Sequence, residues 1–346
     1  MNIGILTFHK TDNYGAMLQA YALSSYLNKL GHQAHFIDYC PEYVYKKRFI
    51  HKGFIEEIKG TIKKLLCKKV QERKAERFAE FIRLYIQSIP VQEASKLDLV
   101  ILGSDQIWAT NLTDYDSFYM GNGIKCNKIV SYAASCGNLS NMDEKPATLY
   151  KTYLNKLTHI SVRERKAQEI ISSLMHRQCS CVLDPTLLVD NSVFSSIHRK
   201  PTIKDYILVY DGTNPTIIDF ADRLSKKLHK KVVAISCDIA LKNQSRLIQD
   251  ASVEEFLGYI ANAAFVISTS FHGCALSLSY RKDFYCINTG GVASRSAELL
   301  ALFDLRERFI DLQTDVDCTP INYKKVDKIW AELRVDSKAY LSACLE

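Results

Sequence analysis

An α/β architecture of two doubly wound domains facing each other across a cleft is what this sequence predicts, on three observations. Short apolar runs of strand length alternate along the chain with segments whose apolar residues recur at helical spacing. Run after run ends abruptly in glycine, hydroxyl or amide residues, as strands do where their carboxyl ends meet a ligand crevice. At 346 residues the chain is long for one core and comfortable for two.

The first run, Ile3 to Phe8, ends in His9-Lys10-Thr11-Asp12-Asn13-Tyr14-Gly15-Ala16. A helical pattern through Leu18, Ala22, Tyr26, Leu27 and Leu30 follows and is stopped by Gly31. Ala34 to Tyr39 is the next strand. This is a strand–loop–helix–strand unit, but a lone Gly15 makes neither a dinucleotide fingerprint nor a Walker loop. Gly15 allows close backbone approach or simply makes a turn.

Residues 45–88 are expected to leave the sheet as a basic helical excursion. Ile55, Ile58, Ile62, Leu65 and Leu66, then Phe78, Phe81, Ile82 and Tyr85, recur at helical spacing and predict two amphipathic helices. Thirteen Lys and Arg residues between Lys46 and Arg83 give them basic faces. Such faces are solvated surface or a docking surface for an anionic membrane. No aromatic platform is interleaved with the charge, which argues against nucleic acid.

Leu97 to Leu102 is a buried strand ending in Gly103-Ser104-Asp105-Gln106-Ile107-Trp108. A carboxylate, an amide and an indole together suit a sugar-binding edge; the alternative is a helix-capping aspartate beside a core tryptophan. Further strands are expected at Lys128 to Ser135, ending in Ser135-Cys136-Gly137, at His159 to Val162, leading into Arg163-Glu164, and at Cys181 to Leu183, leading into Asp184-Pro185-Thr186. Parallel strands would bring these polar ends to one edge of one sheet.

Asn191 to Lys204, poor in apolar residues and carrying Pro201, marks the boundary between an N-terminal domain over 1–195 and a C-terminal domain over 205–320. The second half repeats the grammar: strand Tyr206 to Tyr210, helix Pro215 to His229, strand Lys231 to Ser236, helix Val253 to Ala263. Ala263 to Ile267 then ends in Ser268-Thr269-Ser270-Phe271-His272-Gly273, and a helix-compatible run from Cys274 to Tyr280 follows. Strand, tight loop and helix start make a place where free N–H groups meet an anion. His272 is placed to meet a phosphate, to pass a proton, or merely to cap the helix. Asp283 to Ile287 is a further strand, followed by Gly290-Gly291-Val292-Ala293-Ser294-Arg295 and a helix; residues 321–346 form a terminal helix expected to pack back on the N-terminal domain.

Composition excludes several classes. No stretch approaches the ~18 apolar residues of a spanning helix, and Met1 to Leu6 reads as a strand rather than a signal peptide. Eleven scattered cysteines with no C-x-x-C pair fit free thiols in a reducing cytoplasm better than disulfides or zinc. A net charge of +7 is compatible with an anionic small substrate or membrane surface.

Read together, the motifs Asn13-Tyr14-Gly15-Ala16 with Leu18-Gln19-Ala20-Tyr21, Gly103 to Trp108, Ser131-Tyr132-Ala133-Ala134-Ser135, Ser161-Val162-Arg163-Glu164, Asp184-Pro185-Thr186-Leu187-Leu188 and Ser270-Phe271-His272-Gly273 resemble, in this order, the polysaccharide pyruvyl transferase family. The resemblance covers nearly the whole chain. It implies two Rossmann-like domains of GT-B type and transfer of an enolpyruvyl unit from phosphoenolpyruvate to a sugar of a surface polysaccharide or its lipid-linked precursor, giving a pyruvate ketal. It implies no nucleotide, cofactor or obligatory metal. The protein would then be cytoplasmic, either free or peripheral at the inner membrane face through Lys46 to Arg83.

The resemblance also implies site residues. Arg163 would hold the donor, and His272 would relay protons or bind phosphate. Ser268, Ser270, Gly273 and Arg295 would complete the donor side. Asn13, Tyr14, Gly15, Asp105, Gln106, Trp108 and Ser135 would face the acceptor. Better-understood members carry an arginine two residues before the histidine; here that residue is Ser270, so Arg163, Arg281, Lys282 or Arg295 must supply the charge, or the donor differs. A nucleotide-sugar glycosyltransferase, for which Glu298 is the nearest ribose-gripping carboxylate, and a non-catalytic sugar-binding protein of a polysaccharide assembly pathway are the alternatives.

Overall fold

The computed structural model describes residues 1–41, 61–137, 143–210, 215–235, 246–288 and 294–346. The chain divides into two compact units: Met1–Lys59 with Ala79–Val189 and Glu332–Glu346, and Gly60–Phe78 with Asp190–Ala331.

In the first unit β1 (Asn2–Leu6), β2 (Gln33–Ile37), β3 (Ser88–Ile89), β4 (Leu99–Leu102) and β5 (Ile129–Ser131) form a five-stranded sheet in the order β3-β2-β1-β4-β5. Every pairing is parallel. A second parallel pair, β6 (Ser161–Val162) and β7 (Ser180–Cys181), is bridged to the β5 segment at Val130–His159 and Ala134–Val162. The strands are apolar on both faces because helices cover both, as parallel sheets require. Among these helices are α1 (Tyr14–Lys29), α3 (Glu144–Leu154) and α4 (Arg165–Met175), while α2 (Thr61–Tyr85) is divided between the units. The first core gathers Leu6, Val100, Leu102, Ile129, Tyr150 and Ile171, among others.

In the second unit the strands are β8 (Tyr206–Tyr210), β9 (Lys231–Ile235), β10 (Arg246–Ile248), β11 (Phe265–Ser268), β12 (Phe284–Ile287) and β13 (Phe309–Ile310). Their order is β10-β9-β8-β11-β12-β13, again wholly parallel. Helices α5 (Pro215–Leu228), α6 (Val253–Asn262), α7 (Phe271–Ser279) and α8 (Ser294–Leu302) connect them. Helix α6 starts with a full capping box between Ser252 and Glu255.

Both sheets are thus wound the same way. The chain moves outward from the first strand on one side, then returns and builds the other side. The reversal points lie between β1 and β4 and between β8 and β11, where ligands bind in such sheets.

Three differences from the sequence reading have physical causes. The basic excursion was expected as two helices, but α2 is unbroken over Thr61–Tyr85; no glycine or proline interrupts it. The earlier part of the excursion, 45–60, lies outside the described residues. The edge strands β3, β10 and β13 are two or three residues long, too short to leave a periodic signature. The units part between Val189 and Asp190, ahead of the Pro201 segment.

The terminal helix α9 (Tyr323–Leu345) belongs to the first unit from Glu332 onward. There Ser337 Oγ accepts the Leu183 amide proton at 2.9 Å, Tyr340 donates to the Ser131 carbonyl at 2.8 Å, and Arg334 donates to the carbonyls of Leu187 and Val189.

Candidate functional sites at the two strand-end edges

At the reversal point of the first unit, Thr7 ties three elements together. Its hydroxyl donates to the Ser104 carbonyl beyond β4 at 2.8 Å and accepts from Gln19 of α1 at 3.0 Å. Its own carbonyl lies 2.9 Å from His9 Nδ1. Gly103 precedes Ser104 with φ 119°, and a Cβ there would stand 2.4 Å from the Tyr132 carbonyl oxygen, so only glycine fits. Asp105 follows in the left-handed region, φ 68°, and its carboxylate accepts from the Gln106 amide at 2.8 Å.

Beside this loop stands Arg163, its side chain 1% exposed, encircled by three carboxylates: Asp184 at 2.7 Å, Glu164 at 3.0 Å and Asp105 at 3.8 Å. Ser104 donates to Asp184 at 3.0 Å, Thr186 donates to Asp184 through both amide and hydroxyl, and Ser135 donates to Glu164 at 2.6 Å. Burial works against the Arg163 charge, but Glu164, Asp184 and Asp105 together outweigh it and hold its pKa above the ordinary value. The network joins the ends of β4, β5, β6 and β7. Its guanidinium is committed to these carboxylates, so its role here is to fix the strand ends rather than to reach for a donor anion.

The residues expected at the acceptor side fall into two groups. Asn13 is exposed and its side chain caps α1, accepting from the Ala16 amide at 3.0 Å. Gln106 is half-buried at the edge, and Asp105 is buried beside Arg163. Tyr14 and Gly15 are buried in the first turn of α1, and Ser135 is buried in the carboxylate network. Trp108 offers no ring face to a ligand: it is fully buried, and its indole N–H donates to the Tyr119 carbonyl at 3.0 Å. The core half of the alternative describes Trp108, whereas Asp105 caps no described helix: the next one starts at Thr110 with Ala109 as its N-cap.

His9, Thr7, Gln19, Ser104, Glu164 and Asp184 are network members that sequence reasoning did not single out as site residues. The signal for His9 was present: a polar cluster directly after the first strand. Its ring stacks on Phe36 at 5.5 Å and 19°, and it is 1% exposed. Burial, its largest influence, lowers its pKa from 6.5 and keeps it neutral; Lys10 pushes the same way, against the Thr7 carbonyl and Asp38.

At the reversal point of the second unit, β11 runs into α7 with a two-residue connection, Thr269 and Ser270. Ser270 is the N-cap: its hydroxyl accepts the Gly273 amide proton at 3.1 Å, while its own amide donates to Ser268 Oγ at 3.1 Å. The helix starts three residues earlier than the apolar run suggested, so His272 and Gly273 lie in its first turn. Gly273 is required there, since a Cβ would stand 2.0 Å from Ser268 Oγ and 2.9 Å from Tyr210. His272 is half-buried, with Phe271 edge-on at 5.2 Å.

The cations named for this loop separate clearly. Arg281 and Lys282 lie beyond the other end of α7, about 13 Å along its axis. There Arg281 pairs with Asp327 at 2.9 Å and Lys282 donates to the Ala263 carbonyl at 3.1 Å. Arg295, 9% exposed, stands in the first turn of α8, which packs against α7. Residues 289–293 of the glycine segment before it lie outside the described residues. Of the four candidates, Arg295 is the one placed beside this helix pair and not bound into the Asp105–Glu164–Asp184 network.

Among the described residues no group of three or more His, Cys, Asp or Glu is arranged to hold a metal ion, and no helix is long and apolar enough to cross a membrane. The basic face of α2 is partly used within the second unit: Arg73 pairs with Asp250 at 2.8 Å, and Arg77 with Glu255 at 2.8 Å. Lys68, Lys69 and Arg83 are exposed.

Two doubly wound parallel sheets with a returning terminal helix define an α/β protein of GT-B-like class. Solved structures share this architecture. An S. aureus MnaA–UDP structure matches over 98% of this chain and 90% of its own at 14% identity and a TM-score of 0.50. A putative UDP-N-acetylglucosamine 2-epimerase from Listeria monocytogenes matches over 95% and 91% at 10% identity and 0.48. The Neisseria meningitidis UDP-GlcNAc 2-epimerase bound to UDP-GlcNAc matches over 99% and 94% at 10% and 0.47. At such identities the likeness is one of fold alone, and it rests on the first of the three. No curated protein matches the chain. The family model of the polysaccharide pyruvyl transferases matches residues 13–291, and the chain belongs to that family.

Proposed function

We propose that this protein transfers the enolpyruvyl unit of phosphoenolpyruvate to a saccharide of a surface polysaccharide or its lipid-linked precursor, closing a pyruvate ketal. The observation that carries this reading is the Ser268–Gly273 loop: a helix N-terminus built directly on the strand at the reversal point, in a chain of this family. Phosphoenolpyruvate carries a phosphate and a carboxylate, which need N–H donors and a cation. The first turn of α7 supplies the donors and Ser268 and Ser270 the hydroxyls. Arg295 supplies the charge that an arginine at position 270 would otherwise bring. His272 delivers the proton to the methylene carbon of the donor, which leaves C2 electrophilic toward a sugar hydroxyl.

The saccharide falls to the first unit, where Asn13, Gln106 and Asp105 offer amide and carboxylate groups at the strand ends. Arg163 acts there as a positioning residue. No cofactor enters the reaction, and the anion is bound by protein groups alone. Lys69 and Arg83, with Lys68 beside Glu72 at 3.7 Å, are the exposed charges of α2 that would draw the protein to an anionic bilayer carrying a lipid-linked acceptor. Sedimentation with anionic but not neutral vesicles is the expected result, and equal partition onto both removes that part.

The test of the donor assignment is isothermal titration with phosphoenolpyruvate, with inorganic phosphate and a nucleotide sugar as controls. Binding specific to phosphoenolpyruvate that is weakened at least about tenfold in Arg295→Met supports it. Binding of the nucleotide sugar alone transfers the protein to the glycosyltransferase reading.

A further inference from the structure

We infer that Tyr39 and Phe118 form an aromatic platform on which a pyranose ring of the acceptor stacks. This rests on the pyruvyl-transfer reading and gives its saccharide a subsite lying wholly within the first unit.

The sequence predicts an aromatic surface beside the polar strand ends, and Trp108, the residue expected to supply it, is buried. Three other rings stand partly open at the same edge of the sheet. Phe8 follows β1 and Tyr39 follows β2; the parallel register Ile5–Phe36, carried three residues on, sets Phe8 beside Tyr39. Phe118 comes from the connection between β4 and β5, in the one-turn helix Ser117–Met120. All three are half-buried and packed against the first core. Buried Tyr119 anchors two of them, meeting Phe8 edge-on at 5.2 Å and Tyr39 edge-on at 5.5 Å. Tyr39 and Phe118 stack on each other at 4.0 Å and 30°.

The two stacked rings are held in place before any ligand arrives. The Tyr39 hydroxyl donates to Asp116 Oδ2 at 2.6 Å, and Oδ1 of the same carboxylate accepts the Phe118 amide proton at 2.9 Å. One side chain therefore fixes both residues. The Tyr39 amide donates to the Ile37 carbonyl at 2.7 Å, in a tight turn centred on Asp38. Burial first, and then Asp116, raise the Tyr39 pKa above its ordinary value, so the phenol stays a neutral hydroxyl that can also accept from a sugar. Such preordering lowers the entropic cost of binding.

Polar groups of the kind a sugar needs adjoin the rings in the chain. Asp38, 42% exposed, precedes Tyr39, and Lys10 holds it at 2.6 Å. A carboxylate and an ammonium this close together suit a vicinal diol, one accepting from a hydroxyl and the other donating to its neighbour. The chemistry selects among ligands. A wholly apolar partner would desolvate Asp38, Lys10 and Asp116 without replacing their hydrogen bonds. Two carboxylates against one ammonium disfavour a phosphate at this place. A pyranose has an apolar C–H face for the rings and hydroxyls for the charged groups.

The test uses Phe118→Leu and Tyr39→Leu, which keep apolar volume against the core but remove a ring, and Tyr39→Phe, which keeps the ring and removes its link to Asp116. Saturation-transfer NMR with methyl pyranosides of gluco, galacto and manno configuration, without donor, reads binding. Ketal formation with phosphoenolpyruvate reads KM and kcat. Saturation of the aromatic protons should pass to the C–H face of at least one pyranoside, and its affinity should fall about 3- to 10-fold in each leucine variant and less in Tyr39→Phe. KM for that pyranoside should rise by the same factor, with a smaller change in kcat and unchanged stabilisation by phosphoenolpyruvate. Affinity and KM within twofold of wild type in both leucine variants overturn the platform and leave pyruvyl transfer standing. No saturation transfer to any of the three at about 10 mM also overturns it. A wild type that binds a pyranoside through these rings but forms no ketal supports the platform and removes pyruvyl transfer. In the wild type, where folding of a variant is not at issue, the bound pyranoside should shift the ring-proton resonances of Tyr39 and Phe118; shifts confined to other aromatic residues overturn the inference.

Discussion

The two strand-end edges are built on the same winding but carry opposite chemistry. In the first unit the edge is a dense ionic network, one guanidinium among three carboxylates, with the hydroxyls of Ser104, Ser135 and Thr186 donating to Asp184 and Glu164. In the second unit the edge is a neutral loop of hydroxyls leading into a helix N-terminus, with its histidine in the first turn. A guanidinium buried among carboxylates holds strands in place and offers little to an anion. A capped helix start with nearby cationic charge does the reverse. The proposed function assigns the same topological position to structure and saccharide recognition in one unit and to anion binding in the other.

Substitutions should separate these roles. The largest effect is expected from His272→Ala, about 10²–10⁴-fold in kcat with the melting temperature little changed, read by phosphate release and thermal unfolding. Arg163→Met should do the opposite. It leaves three buried carboxylates without their counter-charge and should lower unfolding free energy by about 3–5 kcal/mol in denaturant titration. A loss of donor affinity with unaltered stability in Arg163→Met would reverse the assignment of the two edges.

Gly273→Ala should cost about 1–3 kcal/mol, because Ser268 and Tyr210 must give way to the new methyl group. Ser270→Ala should cost about 1 kcal/mol as a lost cap, with weaker donor binding as the sharper sign. The smallest effect is a slope. In the unfolded chain His9 takes up a proton below about its ordinary 6.5, whereas burial keeps it neutral to lower pH in the fold. Stability should therefore fall as pH drops from 6.5 toward the folded value and level off below it, and His9→Asn should flatten that decline.

Much of this was legible in the chain. The winding of both sheets followed from alternating apolar runs and helical patterns, and the Ser268–Gly273 loop followed from an apolar strand meeting hydroxyls and glycine. What escaped depended on contacts distant in sequence. That Arg163 is encircled needs Asp105 and Asp184, 58 and 21 residues away, to be brought to it by parallel pairing. Trp108 lies in a polar motif, yet the turn after Gly103 carries it into the core, and no local pattern announces that. The tautomer of His9 depends on a carbonyl two residues back that only the fold turns toward the ring.

The most direct measurement is the thermal unfolding of wild type, His272→Ala and Ser270→Ala with phosphoenolpyruvate, phosphate and a nucleotide sugar. A donor at one hundred times its dissociation constant adds about 2.7 kcal/mol to the folded state. Stabilisation by phosphoenolpyruvate in the wild type, reduced in both variants and absent with the nucleotide sugar, is the predicted result. Equal stabilisation of all three proteins, or none by phosphoenolpyruvate at millimolar concentration, would contradict a donor site at the Ser268–Gly273 loop.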